Sequence, residues 1–392
     1  MKKLRPATKA VHHGTRRSQY NEVSEAIFMT QGFVYPTAEA AEERFLSTGE
    51  DEFIYARYGN PTVAMFEDRI AAIEGAEDAF ACASGMAAVN GALMSLLKAG
   101  DHVVAARALF GSCLYICSEI LPRFGVEVTF VDGEDLSQWE AAIRDDTAVV
   151  FFESLSNPTL TLVDVAAVAN LAHAKGARVV VDNVFATPIF SKAFELGADI
   201  VTYSSTKHID GQGRALGGVI LGDRETIRGP VMTYMKHTGG SISPFNAWLH
   251  LKGLETLDLR VHAQAETALT LADHPALRQM IYPGLERHPQ YALAMEQMSG
   301  KGGTVLALDL AGGKEAAFRF LNALQIPVIS NNLGDAKSIA THPATTTHQS
   351  LKEEQRAAMG IGDGLIRFSC GLEDRLDLID DLRHALDAAK PS

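Results

Sequence analysis

The sequence predicts an α/β protein: a large domain built on a mostly parallel sheet, followed by a smaller α+β C-terminal domain. Two observations carry this. Between residues 63 and 221, short apolar runs alternate with segments of helical period, the pattern of parallel strands joined by covering helices. Near Pro244 that alternation lapses into one long helical pattern, beyond which strands become sparse. With 392 residues, 47% of them hydrophobic and 21% charged, the chain can bury a core for two or three domains.

Residues 1–62 read as irregular, polar and punctuated, as in Tyr58-Gly59-Asn60-Pro61-Thr62. Their tyrosines and phenylalanines speak against a disordered tail, and the segment is expected to pack on a neighbouring subunit. The α/β pattern then runs in order. A helix is expected over 63–73 and a strand over 78–83, with Ser84-Gly85-Met86 opening a helix over 87–97. Strands follow over 101–105, 127–131 and 148–153, separated by helices over 112–124 and 136–143. A helix over 165–175 stops at Gly176, and strands over 178–182 and 199–203 flank a short helix over 191–196. A strand over 218–221 closes the domain, expected to span 63–255. One helix is predicted over 244–274 (Trp248, Leu251, Leu254, Leu257, Val261). The domain from 256 to 392 then holds strands over 304–310 and 365–369 and helices over 315–324 and 374–389.

Composition removes several classes of function. A net charge of −13 disfavours a nucleic-acid or anionic-membrane surface. No apolar stretch is long enough to span a bilayer, and the basic first 18 residues lack the apolar segment of a secretory signal. Cys82, Cys113, Cys117 and Cys370 have no metal-ligand spacing, so a soluble cytoplasmic protein with free thiols and no metal is expected. No internal repeat and no low-complexity tract is present.

The chemistry is concentrated at two strand ends. One ends in Val181-Asp182-Asn183; the next runs into Tyr203-Ser204-Ser205-Thr206-Lys207-His208. A lone lysine after a strand is ordinarily a surface charge. Its neighbours change that reading. Ser204 and Thr206 lie two apart, so along an extended segment their hydroxyls face the same way. Asp182 ends a strand buried on both faces, where a carboxylate needs a cationic partner, unless it caps a turn. An amine for a Schiff base, an acid for a ring nitrogen and hydroxyls for a phosphate are what pyridoxal phosphate chemistry requires.

Other residues join this reading, each beside a plainer one. Ser84, Gly85 and Met86 stand at a strand-to-helix junction whose free N–H groups suit a phosphate, or Ser84 is an ordinary cap. Asn157 lies just past a strand's C-terminal end, where ligands of open α/β sheets gather, or it is a turn asparagine before Pro158. Arg367, within the strand Leu365-Ile366-Arg367-Phe368-Ser369, would hold a substrate carboxylate or else an internal ion pair. Tyr55 and Arg57 could clamp a phosphate or be a surface pair. Gly211-x-Gly213-x-x-x-Gly217 has the wrong spacing for a dinucleotide loop, and His12, His13, His342 and His348 match no zinc signature.

From about Thr8 to the last helix the chain resembles the PLP-dependent Cys/Met metabolism enzymes, the cystathionine γ-synthase family of fold-type I transferases. The marks are Tyr55-Ala56-Arg57-Tyr58-Gly59-Asn60-Pro61-Thr62, Ala83-Ser84-Gly85-Met86, Asn157-Pro158, Val181-Asp182-Asn183, Ser204-Ser205-Thr206-Lys207, Ser243-Pro244-Phe245-Asn246-Ala247-Trp248, His342-Pro343-Ala344-Thr345-Thr346-Thr347-His348, and Ile366-Arg367-Phe368-Ser369 ahead of Gly371-Leu372-Glu373-Asp374. The resemblance implies that Lys207 is the Schiff-base lysine and proton shuttle, that Asp182 pairs with the pyridinium, and that Gly85, Met86, Ser204 and Thr206 hold the phosphate. It implies that Tyr55 and Arg57 reach that phosphate from a neighbouring subunit in a homotetramer built as a pair of dimers. Arg367, with Asn332 and Tyr55 nearby, would bind substrate, and Asn157 would lie near the ring hydroxyl.

Four departures narrow the activity. The family's ring-stacking tyrosine is Phe110, in Leu109-Phe110-Gly111, which keeps the ring face and loses the hydroxyl. Its Ser-Leu-Gly is Asn332-Leu333-Gly334, and an acidic residue common in cystathionine-handling relatives is replaced by Lys337. With His208-Ile209-Asp210-Gly211-Gln212-Gly213-Arg214, these features look like the branch that joins sulfide to O-succinylhomoserine. The implied reaction is γ-replacement giving homocysteine and succinate, a step of methionine biosynthesis, with neutral Lys207 removing the α-proton. Relatives that form cystathionine, use O-acetylhomoserine or perform γ-elimination are the alternatives. Lys337 is expected to repel acceptor amino acids that bring a distal ammonium.

Overall fold

The computed structural model describes residues 4–49 and 51–390. Its larger sheet has seven strands: β1 (Asp78–Cys82), β2 (His102–Ala106), β3 (Glu127–Val131), β4 (Thr147–Glu153), β5 (Arg178–Asp182), β6 (Ile200–Tyr203) and β7 (Gly218–Gly222). They lie in the order β1-β7-β6-β5-β4-β2-β3. Every pairing from β6 to β3 is parallel, and only β7 runs against its two neighbours. Strands β2, β6 and β7 are buried throughout, because helices cover both faces. One apolar layer joins Val104, Val150, Val179 and Val201; the other joins Val103, Val149, Val180 and Ile200 on the opposite face.

This order sets the location of the chemistry. Strands β4, β5 and β6 are adjacent and parallel, so Glu153, Asp182 and the segment after Tyr203 emerge at one edge. Cys82 at the end of β1 pairs with Gly218 at the start of β7, which brings Ser84-Gly85-Met86 to the same edge. Gly218 is required there: a Cβ would lie 2.2 Å from the carbonyl oxygen of Ser84.

The smaller sheet has five strands: β8 (Met280–Ile281), β9 (Val305–Asp309), β10 (Val328–Ile329), β11 (Ile339–Thr341) and β12 (Leu365–Ser369), in the order β10-β11-β12-β9-β8. Ile366 and Phe368 of β12 join the core formed with Phe320 and Leu382 of the helices Gly313–Ala323 and Arg375–Ala389. Strand alternation therefore turns Arg367 to the other face.

Two expected elements are corrected. The long helix over 244–274 is two helices, Pro244–Leu254 and Leu257–Asp273. Gly253 approaches so closely that a Cβ would be 2.1 Å from the Ile209 carbonyl, and the Gly253 carbonyl accepts from Arg260 Nη2 at 2.8 Å. Its helical continuation is lost to that bond. The helix expected over 191–196 is instead Thr187–Phe190, because Asn183 Nδ2 donates to the Ser191 carbonyl and the chain leaves in turns. The N-terminal stretch, expected to be irregular, contains helices Pro6–His12 and Ala38–Leu46. Strands β8, β10 and β11 are two or three residues long, too short for a periodic signal.

Candidate active site

A cavity of about 430 Å³ opens between the carboxyl edge of the larger sheet and β12. It is lined by Ser84, Gly85, Met86, Phe110, Asn157, Asp182, Ser204, Thr206, Lys207, Asn332 and Arg367. Residues from seven separate stretches of the chain meet there.

Lys207 follows β6 and is largely buried. Its Nζ donates to Asn332 Oδ1 at 2.5 Å. Burial, with Arg367 nearby, pulls its pKa down to about 8, so a large fraction of the amine is free base in mildly alkaline solution. Asp182 at the end of β5 accepts the Val184 N–H at 3.1 Å. Burial raises its proton affinity, which the Val184 N–H and the charge of Lys207 offset only in part. Behind it a polar chain fixes the strand ends: Ser154 Oγ donates to Asn183 Oδ1 (2.7 Å), Asn183 Nδ2 to the Tyr203 hydroxyl (2.6 Å), and that hydroxyl to Glu74 Oε2 (2.6 Å).

The other edge of the cavity is built for an anion. Helix Gly85–Leu96 starts at Ser84, whose hydroxyl accepts the Ala87 N–H at 3.1 Å. Ser84 is thus the helix cap, and the N–H groups of Gly85 and Met86 have no acceptor within the helix. Gly85 meets the facing segment so closely that a Cβ would be 2.5 Å from Ser204 Cβ. The Thr206 hydroxyl bridges the N–H (3.1 Å) and carbonyl (3.2 Å) of Gly217, fixing the turn.

Arg367 is 1% exposed. Nη1 donates to Asn157 Oδ1 at 3.1 Å, and Nη2 to the carbonyls of Asn331 (2.9 Å) and Asn332 (2.8 Å). No carboxylate faces it among the described residues, Nε has no acceptor, and burial lowers its pKa to about 10. The internal ion pair left open by the sequence is therefore absent among the described residues, and the guanidinium faces the cavity unneutralised.

Tyr55 and Arg57 do not line this cavity. Arg57 lies over the rings of Tyr55 and Tyr58, with centroids 5.3 and 4.9 Å from its guanidinium carbon, and Nη1 donates to the Lys236 carbonyl. Lys337 is a correction. It was expected to act near substrate, but its side chain is 65% exposed, pairs with Asp335 Oδ1 at 3.4 Å and lies outside the cavity. The chain turns at Gly334 (φ +72°) and carries it away. Of the histidines, His12 and His13 are exposed, whereas His342 and His348 are packed: His342 bonds the Asp363 carbonyl (2.7 Å) and Thr345 (2.9 Å), and burial lowers the pKa of His348 to about 4.

Sequence reasoning left Asn331, Thr347 and Glu153 unassigned, and all three line the cavity. Glu153 had one signal: like Asp182, it is a carboxylate ending an apolar strand. Cys113, Glu153 and Asp182 are the one group of potential metal ligands among the described residues. Burial raises the Cys113 thiol far above its ordinary pKa, which disfavours the thiolate a metal would need.

The donor set suits pyridoxal phosphate. It combines a buried amine of lowered pKa, a buried carboxylate that forms no ion pair among the described residues, and free N–H groups at a helix start beside Ser204.

A model of the family described as Cys/Met metabolism PLP-dependent enzyme matches residues 7–387. An O-succinylhomoserine sulfhydrylase of Mycobacterium tuberculosis (strain CDC 1551 / Oshkosh) is 57% identical over 389 residues, 97% of this chain and 95% of that one. An O-succinylhomoserine sulfhydrylase of Pseudomonas aeruginosa is 47% identical over 385 residues, again 97% and 95%. The crystal structure of a candidate O-acetylhomoserine (thiol)-lyase from Campylobacter jejuni superposes with a TM-score of 0.93 at 30% identity, covering 98% of this chain and all of that one. That protein carries N'-pyridoxyl-lysine-5'-monophosphate.

Proposed function

The chain belongs to the Cys/Met metabolism family of PLP-dependent enzymes, and from that footing we propose that it is a sulfhydrylase acting on O-succinylhomoserine. Succinate leaves Cγ and sulfide takes its place, so that O-succinylhomoserine and hydrogen sulfide give homocysteine and succinate. The reading rests most heavily on identity of 57% and 47% to two sulfhydrylases across nearly the whole chain.

Pyridoxal phosphate, when bound, supplies an aldehyde for amines and an electron sink for a carbanion at Cα. Lys207 would hold it covalently, Asp182 would pair with its ring nitrogen, and Gly85, Met86, Ser204 and Thr206 would take its phosphate. Phe110 would cover a ring face, with Asn157 at the ring's edge. The residues of the chain then divide the labour. Arg367 holds the substrate α-carboxylate in place of the water it excludes. Lys207 Nζ, neutral above its lowered pKa of about 8, takes the Cα proton and returns a proton later. Asn332 Oδ1 keeps that nitrogen oriented at 2.5 Å.

The assembly we propose is a homotetramer, a dimer of dimers, in which Tyr55 and Arg57 complete a neighbour's site. Two features favour it. Neither residue lines its own chain's cavity, and the same N-terminal stretch exposes Tyr20, Val23, Met29, Val34, Phe45 and Leu46. The same reading divides the chain at 62 and 255, and helix Leu257–Asp273 begins just past the second boundary. No helix among the described residues is long and apolar enough to cross a membrane. Cytoplasmic residence fits four unpaired, buried cysteines.

The test is a product assay. The holoenzyme is incubated with O-succinylhomoserine and either sulfide or cysteine. Homocysteine from sulfide, with little cystathionine from cysteine, is expected. Cystathionine as main product, or 2-oxobutanoate with neither acceptor consumed, would overturn the reading.

A further inference from the structure

We propose that Glu153 is a positioning residue, holding Phe110 and the Arg367 clamp in register through a single carboxylate. The inference rests on the reading of Arg367 as the site for a substrate carboxylate.

Glu153 is the last residue of β4 and is 5% exposed. Its two oxygens accept main-chain donors from two different walls of the cavity. Oε1 takes the Phe110 N–H at 2.5 Å, and Oε2 takes the Asn157 N–H at 3.1 Å. Asn157 in turn presents Oδ1 to Arg367 Nη1 at 3.1 Å. One side chain thus fixes the backbone beneath the aromatic ring on one side and the partner of the guanidinium on the other.

A filler role does not account for an acid here. Among the described residues no cation pairs with Glu153, and its register partner across the sheet is another acid, Asp182. Their oxygens lie within 4.8 Å of each other and of Cys113 Sγ. Burying a second carboxylate in such a place is unfavourable, and an apolar side chain would fill the volume more cheaply. What the carboxylate offers is two acceptors at a fixed spacing, matched to two N–H groups. A glutamine has the same shape but only one acceptor, so one of those N–H groups would meet another donor.

The experiment uses the holoenzyme and two probes, L-alanine and ethylamine, which differ only by the carboxylate. Binding of each is read from the absorbance change of the bound cofactor, and Tm is measured alongside. Glu153→Gln is expected to weaken L-alanine by about tenfold while ethylamine changes by less than about twofold. Glu153→Asp withdraws both oxygens by one methylene and carries the same expectation should the amide variant not fold. Equal weakening of both probes, or of neither, overturns the proposal. Arg367→Ala is the control. If it leaves the ratio of the two affinities unchanged, the clamp reading fails and this inference falls with it. If it abolishes the ratio while the Glu153 variants preserve it, only the Glu153 proposal fails.

Discussion

The Nζ of Lys207 lies 2.5 Å from Oδ1 of Asn332, and this bond ties the end of β6 to the loop that carries the carbonyls bound by Arg367. The amine is thereby aimed before any ligand arrives. Its lowered pKa of about 8 has burial as its main cause and Arg367 as the second. In cofactor-free protein, capture of pyridoxal phosphate should accordingly accelerate as pH rises through about 8, since the amine is protonated and inert below that point and free base above it. Following the growth of absorbance above 400 nm from mildly acidic to alkaline pH tests this. A midpoint at the ordinary lysine value would refute it. Asn332→Ala, which removes an acceptor favouring the charged form, should move the midpoint down.

Lys207→Ala should eliminate both the visible band of covalently held cofactor and turnover. A variant that kept either would require another lysine. Asp182→Asn tests a different property. The amide fills the same space but cannot pair with a cation, so cofactor should still bind while turnover falls by about a hundredfold or more. Spectra and rates measured on one preparation distinguish the two effects.

Arg367→Lys keeps the charge but loses the fork that faces the cavity from β12. Apparent KM for the amino-acid substrate should rise by roughly ten- to a hundredfold, with a smaller change in kcat. A fall in kcat with KM intact would place Arg367 outside substrate binding.

Lys337 illustrates how far the sequence reaches. The carboxyl ends of apolar strands are legible because parallel strands buried on both faces read as continuous hydrophobic runs, and Asp182 and Lys207 interrupt them. The Arg367 strand is legible for the same reason. Whether a loop residue faces inward is a different matter. Asn331, Asn332 and Lys337 lie within seven positions of one another, yet the first two line the cavity and the third pairs with Asp335 in solvent. That outcome depends on a turn at Gly334, where a Cβ would lie 2.7 Å from the His208 backbone nitrogen, a tertiary contact no local pattern encodes. Glu153 escaped assignment because its partners are main-chain N–H groups, which every residue but proline possesses. Lys337→Glu should consequently leave the ratio of homocysteine to cystathionine unchanged when sulfide and cysteine compete. A rise in cystathionine would put Lys337 back beside the substrate.

The proposed sharing of sites between subunits can be tested in solution. Arg57 is not among the residues lining its own chain's cavity and lies over the rings of Tyr55 and Tyr58, so under that proposal Arg57→Ala and Lys207→Ala should inactivate different members of a dimer pair. Each variant alone lacks an essential group at every site. In a mixed dimer both defects fall on one site, and the other is intact: it has Lys207 from one protomer and Arg57 from its partner. Unfolding and refolding the two variants together in equal amounts should recover about a quarter of the wild-type rate, since half of random pairs are mixed and each has one working site. If Arg57 served the cavity of its own chain, every site in the mixture would lack one group or the other, and no activity would return.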